Sequence, residues 1–256
     1  AAKFIAATAK EIIRDGLVYD IPPVTIMETM GRNASWLTGA AALAKGEDCE
    51  GVDLICLPEV PFEPEAFLAR VEELLREKKS VVIAVSEGIT TADGKYVFEL
   101  AESDSDANAD AVDAFGHKQL AGTADYLAGF LAGELGCKTR SVELSTLQRS
   151  ASHVASRVDI NEAFMVGGAA VKAADEGDTG KMVVIDRVSD DPYMSAAGIY
   201  DVHKIANNEK TVPRSWVNKD GSYVTQEFVN YVEPLIQGDY QPFMVNGLPQ
   251  HLVLKR

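Results

Sequence analysis

Apolar positions near the start of the chain fall at Phe4, Ile5, Ile12 and Ile13, the spacing of one helical face. Gly16 supplies the stop. Val24–Met30 is apolar on both faces, which predicts a strand inside a mostly parallel sheet. Residues 34–45, rich in alanine and leucine, predict a helix ended by Gly46, and Leu54–Leu57 a short strand closed by Pro58. Pro64–Lys78 carries Phe67, Leu68, Val71, Leu74 and Leu75 on one stripe, an amphipathic helix, and Val81–Val85 is a further buried strand. Helices and strands therefore alternate through residue 86, the pattern of an α/β fold with a mostly parallel sheet flanked by helices.

Residues 99–113, acidic and without a basic residue, predict an exposed loop rather than a metal site, because nothing fixes a ligand geometry. Beyond them the pattern predicts a helix over Gln119–Leu135 stopped by Gly136, a strand over Thr139–Leu144, a helix over Asn161–Asp175 and a strand over Met182–Ile185. From residue 203 the pattern is irregular, with short extended or helical pieces. The sequence shows neither an internal repeat nor a long linker.

Composition narrows the function. Apolar residues are 46% of 256, enough for a real core, and the net charge is −15. Repulsion on that scale opposes generic binding to nucleic acid or anionic membrane. It also means that a phosphate site must be local and built from a few arginines. Cys49, Cys56 and Cys137 are far apart and odd in number, which points to reduced thiols in a cytoplasmic protein. No apolar run approaches a membrane span, and charges at Lys3, Lys10, Glu11, Arg14 and Asp15 argue against a signal peptide. The chain opens inside a helical pattern with no cap or initiator methionine, which suggests a fragment or a processed chain.

In open α/β sheets, ligands bind outside the carboxyl ends of the strands. The polar residues there are Gly31-Arg32, then Ser86-Glu87-Gly88, then Ser145 to Arg149, with Arg140 near the start of its strand. Two arginines, a glutamate and a glutamine can converge at one edge. Gly31 permits a sharp turn, a following helix N-terminus offers free N–H groups, and Arg32 adds a fork of donors for phosphate oxygens. The competing interpretation of Arg32 is a surface arginine at a turn. Glu87 suits sugar hydroxyls better than phosphate; otherwise it is a capping or solvated carboxylate. His117, His153, His203 and His251 fit no catalytic or metal spacing, and Gly167-Gly168 suits close helix packing.

Several segments together carry a family likeness: "ETMGRNASWLTGAAALA", "DLICLPEVPF", "VVIAVSEGI", "FGHKQLAGTADYLA", "KTRSVELSTLQRSASH" and "NNEKTVPRSWVN", in that order. The chain resembles the C-terminal part of the phosphofructokinases, nearest to the long bacterial members that use pyrophosphate. The resemblance implies a Rossmann-like fold and the substrate-side half of the enzyme. It implies an α/β fructose 6-phosphate-binding domain over 1–202, with the irregular 203–256 packing on it. Met30, Gly31 and Arg32 match the sugar-phosphate segment, Arg32 also neutralising charge during transfer. Glu87 matches the glutamate that binds sugar hydroxyls, and Arg149 the 6-phosphate arginine. Thr146 and Gln148 fall in the same substrate segment. Arg140 matches an arginine lent across a subunit interface to the neighbour's 6-phosphate, which implies a homo-oligomer.

Three departures qualify the match. Thr146 stands where many ATP-using members have histidine, and Ser150-Ala151 replaces Gly-Gly. A second interface arginine upstream of Met-Gly-Arg is not apparent, Pro22-Pro23 occupying that neighbourhood. The family's donor-binding and catalytic-base segments, upstream of Met30 in the family pattern, are not in this sequence. The implied reaction is phosphoryl transfer to the 1-hydroxyl of fructose 6-phosphate with magnesium, the base being an aspartate of the upstream segment. Pyrophosphate is the expected donor, with ATP as the alternative. A non-catalytic sugar-phosphate-binding fragment is the reading from a different class.

Overall fold

A computed structural model describes residues 1–101 and 120–253. The central sheet has four parallel strands in the order β2-β3-β1-β4: Val24–Thr29 (β1), Leu54–Cys56 (β2), Val81–Ser86 (β3) and Thr139–Glu143 (β4). Every residue of β1 and β3 is buried, as their two-faced apolar sequences require. Side chains alternate across a strand, and the two faces of β1 meet different layers. Val24 and Ile26 join Val81, Ile83 and Val85 in a core shared with the helices Pro64–Glu77 (α3) and Thr123–Leu135 (α4). On the other face Thr29 Oγ1 hydrogen-bonds Thr38 Oγ1 at 2.6 Å, in the short helix Trp36–Gly39 (α2). The first helix, Ala2–Gly16 (α1), packs on that side through Ile5, Ala6 and Ala9.

The helix expected over 34–45 is only α2, followed by a 3-10 stretch Ala40–Ala44. Its N-cap Ser35 gives no side-chain cap, because both its main-chain N–H and its hydroxyl donate to Glu59 instead. An uncapped start weakens a helix, and the tighter 3-10 turn follows. The helix expected from Gln119 starts at Thr123, after Gly122 in a left-handed conformation (φ 94°). Gln119 itself, His117 and residues 102–113 of the acidic segment lie outside the described residues; Val97–Leu100 forms a 3-10 turn.

The chain divides into two compact units: Ala1–Arg149 with Thr211–Val229, and Ser150–Lys210 with the residues from Asn230 on. This division departs from the one expected at 202/203. The reason is visible in residues 211–229, whose Val212, Val217, Val224 and Phe228 are all buried. The Phe228 ring stacks on Trp36, with centroids 5.9 Å apart, and presses on Gly39, where a Cβ would collide with it.

The second unit is built on the helix Arg157–Asp175 (α6), which follows the four-residue helix Leu147–Ser150 (α5) and the short strand Ala155–Ser156 (β5). Ser156 caps α6 by accepting from Asp159 N. The strand expected at Met182–Ile185 is one arm of a longer antiparallel hairpin, Lys181–Asp190 (β6) with Tyr193–Asp201 (β7).

Candidate functional site

β1, β3 and β4 end together, in register at Glu28, Val85 and Glu143. The loops that follow surround a pocket of about 250 Å³. Met30 and Arg32 reach it from β1, Glu87 from β3, and Ser145, Thr146 and Arg149 from β4, with Leu120 and Ala121 opposite. The strand-end rule therefore brings together Met30, Arg32, Glu87, Thr146 and Arg149.

The turn after β1 works differently from the expectation. The left-handed residue is Arg32 (φ 49°), not Gly31. Gly31 is instead confined by packing: a Cβ there would sit 3.1 Å from the Ala34 carbonyl oxygen. No helix N-terminus faces the pocket from this turn. α2 begins only at Trp36, and the N–H groups of Gly31 and Arg32 donate to Glu87 Oε1 at 3.2 and 3.3 Å. The glycine that the joint depends on is Gly88, where a Cβ would run into the Arg32 main chain.

Glu87 is thus a clasp as well as a wall. Burial raises its pKa; the two N–H donors and the Arg32 charge oppose that rise, and Glu143 adds to it. Gln148, expected to touch substrate, is buried and clamps the main chain of Met30. Its Oε1 accepts from Met30 N at 2.9 Å and its amide nitrogen donates to Met30 O at 3.3 Å. Both ends of its amide are engaged with the Met30 main chain.

Arg140 does not converge with the others. It pairs with Thr25 near the start of β4, three residues before Glu143, which is roughly 10 Å at the usual strand rise. There it forms an ion pair with Asp15 at 3.0 Å and lies over the Tyr19 ring. Arg149 is exposed at the pocket, one turn beyond the left-handed Ser145 (φ 42°).

Two carboxylates went unnoticed in the sequence. Glu28 is buried at the end of β1, and its Oε2 accepts from Ala124 N at 2.7 Å, in the first turn of α4. Burial lifts its pKa from 4.5 to about 7, the Ala124 N–H opposing and Glu143, Glu87 and Asp125 adding to the rise. Glu143 lines the pocket from β4. The signal was present: Val24, Ile26 and Glu28 share one strand face, so the third lies at the top of the core. Two guanidinium groups therefore face three carboxylates. An arrangement of this kind can hold an anionic group at the arginines and hydroxyls at the carboxylates. Among the described residues, no group of three or more His, Cys, Asp or Glu could hold a metal ion.

Residues 20–173 match the family model described as phosphofructokinase. The chain is 40% identical over 258 residues to a pyrophosphate–fructose 6-phosphate 1-phosphotransferase of Xanthomonas campestris, covering 100% of this chain and 60% of that protein. A protein of the same description from Halomonas elongata is 38% identical over 251 residues, covering 97% and 58%. Among solved structures, a pyrophosphate-dependent phosphofructokinase from Marinobacter aquaeolei has a TM-score of 0.82 at 31% identity, covering 100% of this chain and 60% of that one. The chain spans about 60% of the length of these relatives. With a family match over more than half its residues and relatives aligned along nearly all of them, the chain belongs to the phosphofructokinase family.

Proposed function

We propose that the protein transfers a phosphoryl group from pyrophosphate to the 1-hydroxyl of fructose 6-phosphate, and that these residues form the sugar-phosphate half of the site. The observation that carries this reading is the convergence of Arg32, Arg149 and Glu87 on one pocket at the ends of three parallel strands. The relatives' shared description as pyrophosphate-dependent enzymes supports the donor over ATP.

In this reading Arg149, exposed and unencumbered by any ion pair among the described residues, holds the 6-phosphate. Arg32 stabilises charge as it shifts among the phosphoryl oxygens, since a fixed guanidinium suits developing charge. Glu87 commits Oε1 to the Gly31-Arg32 turn and offers its other oxygen to a sugar hydroxyl. Met30 and Thr146 form the walls between them, and Gln148 keeps Met30 in place. Such chemistry is mainly positioning and electrostatic stabilisation. Magnesium would supply charge neutralisation on the donor phosphates. The donor-binding segment and the aspartate base belong to the part of the family pattern upstream of Met30, and magnesium enters with them.

Arg140 lies outside its own chain's pocket, which supports the role of an arginine lent to a neighbouring subunit's 6-phosphate, and hence a homo-oligomer. The three cysteines are free thiols, which supports a cytoplasmic setting, and among the described residues no helix is long and apolar enough to cross a membrane.

The test is a coupled assay on full-length protein with each donor. Fructose 1,6-bisphosphate formed with pyrophosphate and not with ATP is the expected outcome. Turnover with ATP alone would hand the donor to the alternative, and binding of fructose 6-phosphate without any transfer would reduce the protein to a binding module.

A further inference from the structure

We propose that Glu28 is a positioning residue of the sugar-phosphate pocket: from the end of β1 its carboxyl holds the start of α4, and with it the Leu120-Ala121 wall, against the strand ends. This rests on the sugar-phosphate reading above. Glu28 occupies the next inward position after Val24 and Ile26, where an apolar residue would extend the core shared with α3 and α4. A carboxylate there is costly unless it is bonded. Its bond goes to Ala124 N, one residue into α4, and Gly122 and Ala121 lead directly from that turn to the pocket wall. A second bond anchors the same turn, since Thr123 Oγ1 donates to the Glu87 carbonyl. The wall and the Glu87 clasp are therefore tied to the same few atoms.

The groups that act on Glu28 are Glu143 from β4, Glu87 after β3 and Asp125 from α4, all acidic, while Arg32, whose charge acts on Glu87, and Arg149 line the same pocket. Burial and these neighbours bring the carboxyl to about 7. The Ala124 N–H can be accepted in either protonation state, so what changes across neutrality is charge. A bound sugar phosphate favours the protonated form of a nearby carboxyl, and by linkage its affinity falls as pH rises through 7. The phosphate's own second ionisation, near pH 6, acts in the opposite direction. The two effects are therefore separable by sign.

The experiment compares Glu28→Ala and Glu28→Gln in full-length protein, with fructose 6-phosphate affinity and steady-state kinetics measured between pH 6.5 and 8. Glu28→Ala should raise the KM for fructose 6-phosphate by about three- to tenfold and leave the donor KM unchanged, since an ordinary hydrogen bond is lost. Glu28→Gln keeps an acceptor oxygen and should restore the KM. Wild-type KM should rise by about threefold from pH 6.5 to 8, the scale of one partly screened like charge. Glu28→Gln should lose that rise and keep only the slight fall in KM from the phosphate's own ionisation, which keeps the proposal testable if Glu28→Ala does not fold. Equal damage by Gln and Ala, or an unchanged pH profile in Glu28→Gln, would overturn the proposal. Wild-type protein that binds no fructose 6-phosphate would overturn the reading beneath it instead.

Discussion

Phe228 in the first unit is wholly buried, stacked on Trp36 and pressed on Gly39, whereas Phe164 on α6 in the second is 85% exposed. The contrast extends beyond these two rings. The first unit buries both faces of β1 and β3, while the β6–β7 hairpin leaves Met182, Ile185, Val188, Met194 and Ile199 exposed. A two-stranded ribbon is marginal on its own. The pocket residues all belong to the first unit, the charged ones on or just after strands that are fixed by packing on two layers. A site needing guanidinium and carboxylate groups held within a fraction of an ångström is best built on such a support.

The largest effect that tests this contrast is Phe228→Ala, expected to cost about 3–5 kcal/mol of stability by chemical denaturation, as for other buried phenylalanines. A small loss would mean that residues 211–229 are not integral to the first unit's core. Next comes Arg149→Ala, expected to raise the KM for fructose 6-phosphate by roughly 10- to 150-fold, the equivalent of about 1.5–3 kcal/mol for a charge-assisted contact. Its melting temperature should stay unchanged, because the side chain is exposed. Arg32→Lys retains charge and loses the fork, so kcat should drop about tenfold, equivalent to about 1.4 kcal/mol. Its effect on the sugar KM should be smaller than that of Arg149→Ala. The smallest effect belongs to Phe164→Ser, expected to move stability by no more than about 0.5 kcal/mol in thermal unfolding. A drop of several degrees there would show that the outer face of α6 is covered in solution, and the contrast between the units would fail.

The sequence made the parallel strands legible because burial on both faces leaves an apolar run with little interruption, as in Val81–Val85. The β6–β7 hairpin was not legible beyond Met182–Ile185. Both of its faces are half-exposed, so no strong contrast marks inward and outward positions. Arg32, Glu87 and Arg149 could be found because they follow strand ends. Glu28 and Glu143 lie inside strands; the alternation after Val24 and Ile26 marks Glu28 as facing the core, and the register shows that both reach the pocket. The bonds of Gln148 to main-chain atoms of Met30, 118 positions away, were not legible, because no residue pattern encodes them. Arg140 near the start of its strand was legible as lying apart from the strand ends, and the register places it opposite Thr25.

Gly88 and Arg32 meet main chain to side-chain-less carbon, and any larger residue at 88 would collide with a carbonyl. That contact constrains how the family can diversify. A lineage acquiring a different acceptor cannot widen the pocket from the 31–32 turn, because the joint with residue 88 leaves no slack to trade. Change is cheaper at Leu120, Ala121 and Thr146, which contribute side chains to the other walls. Selection for new acceptors should therefore leave Gly31, Arg32 and Gly88 invariant while 120, 121 and 146 drift. A library randomised at those three positions is the economical place to look for altered sugar preference.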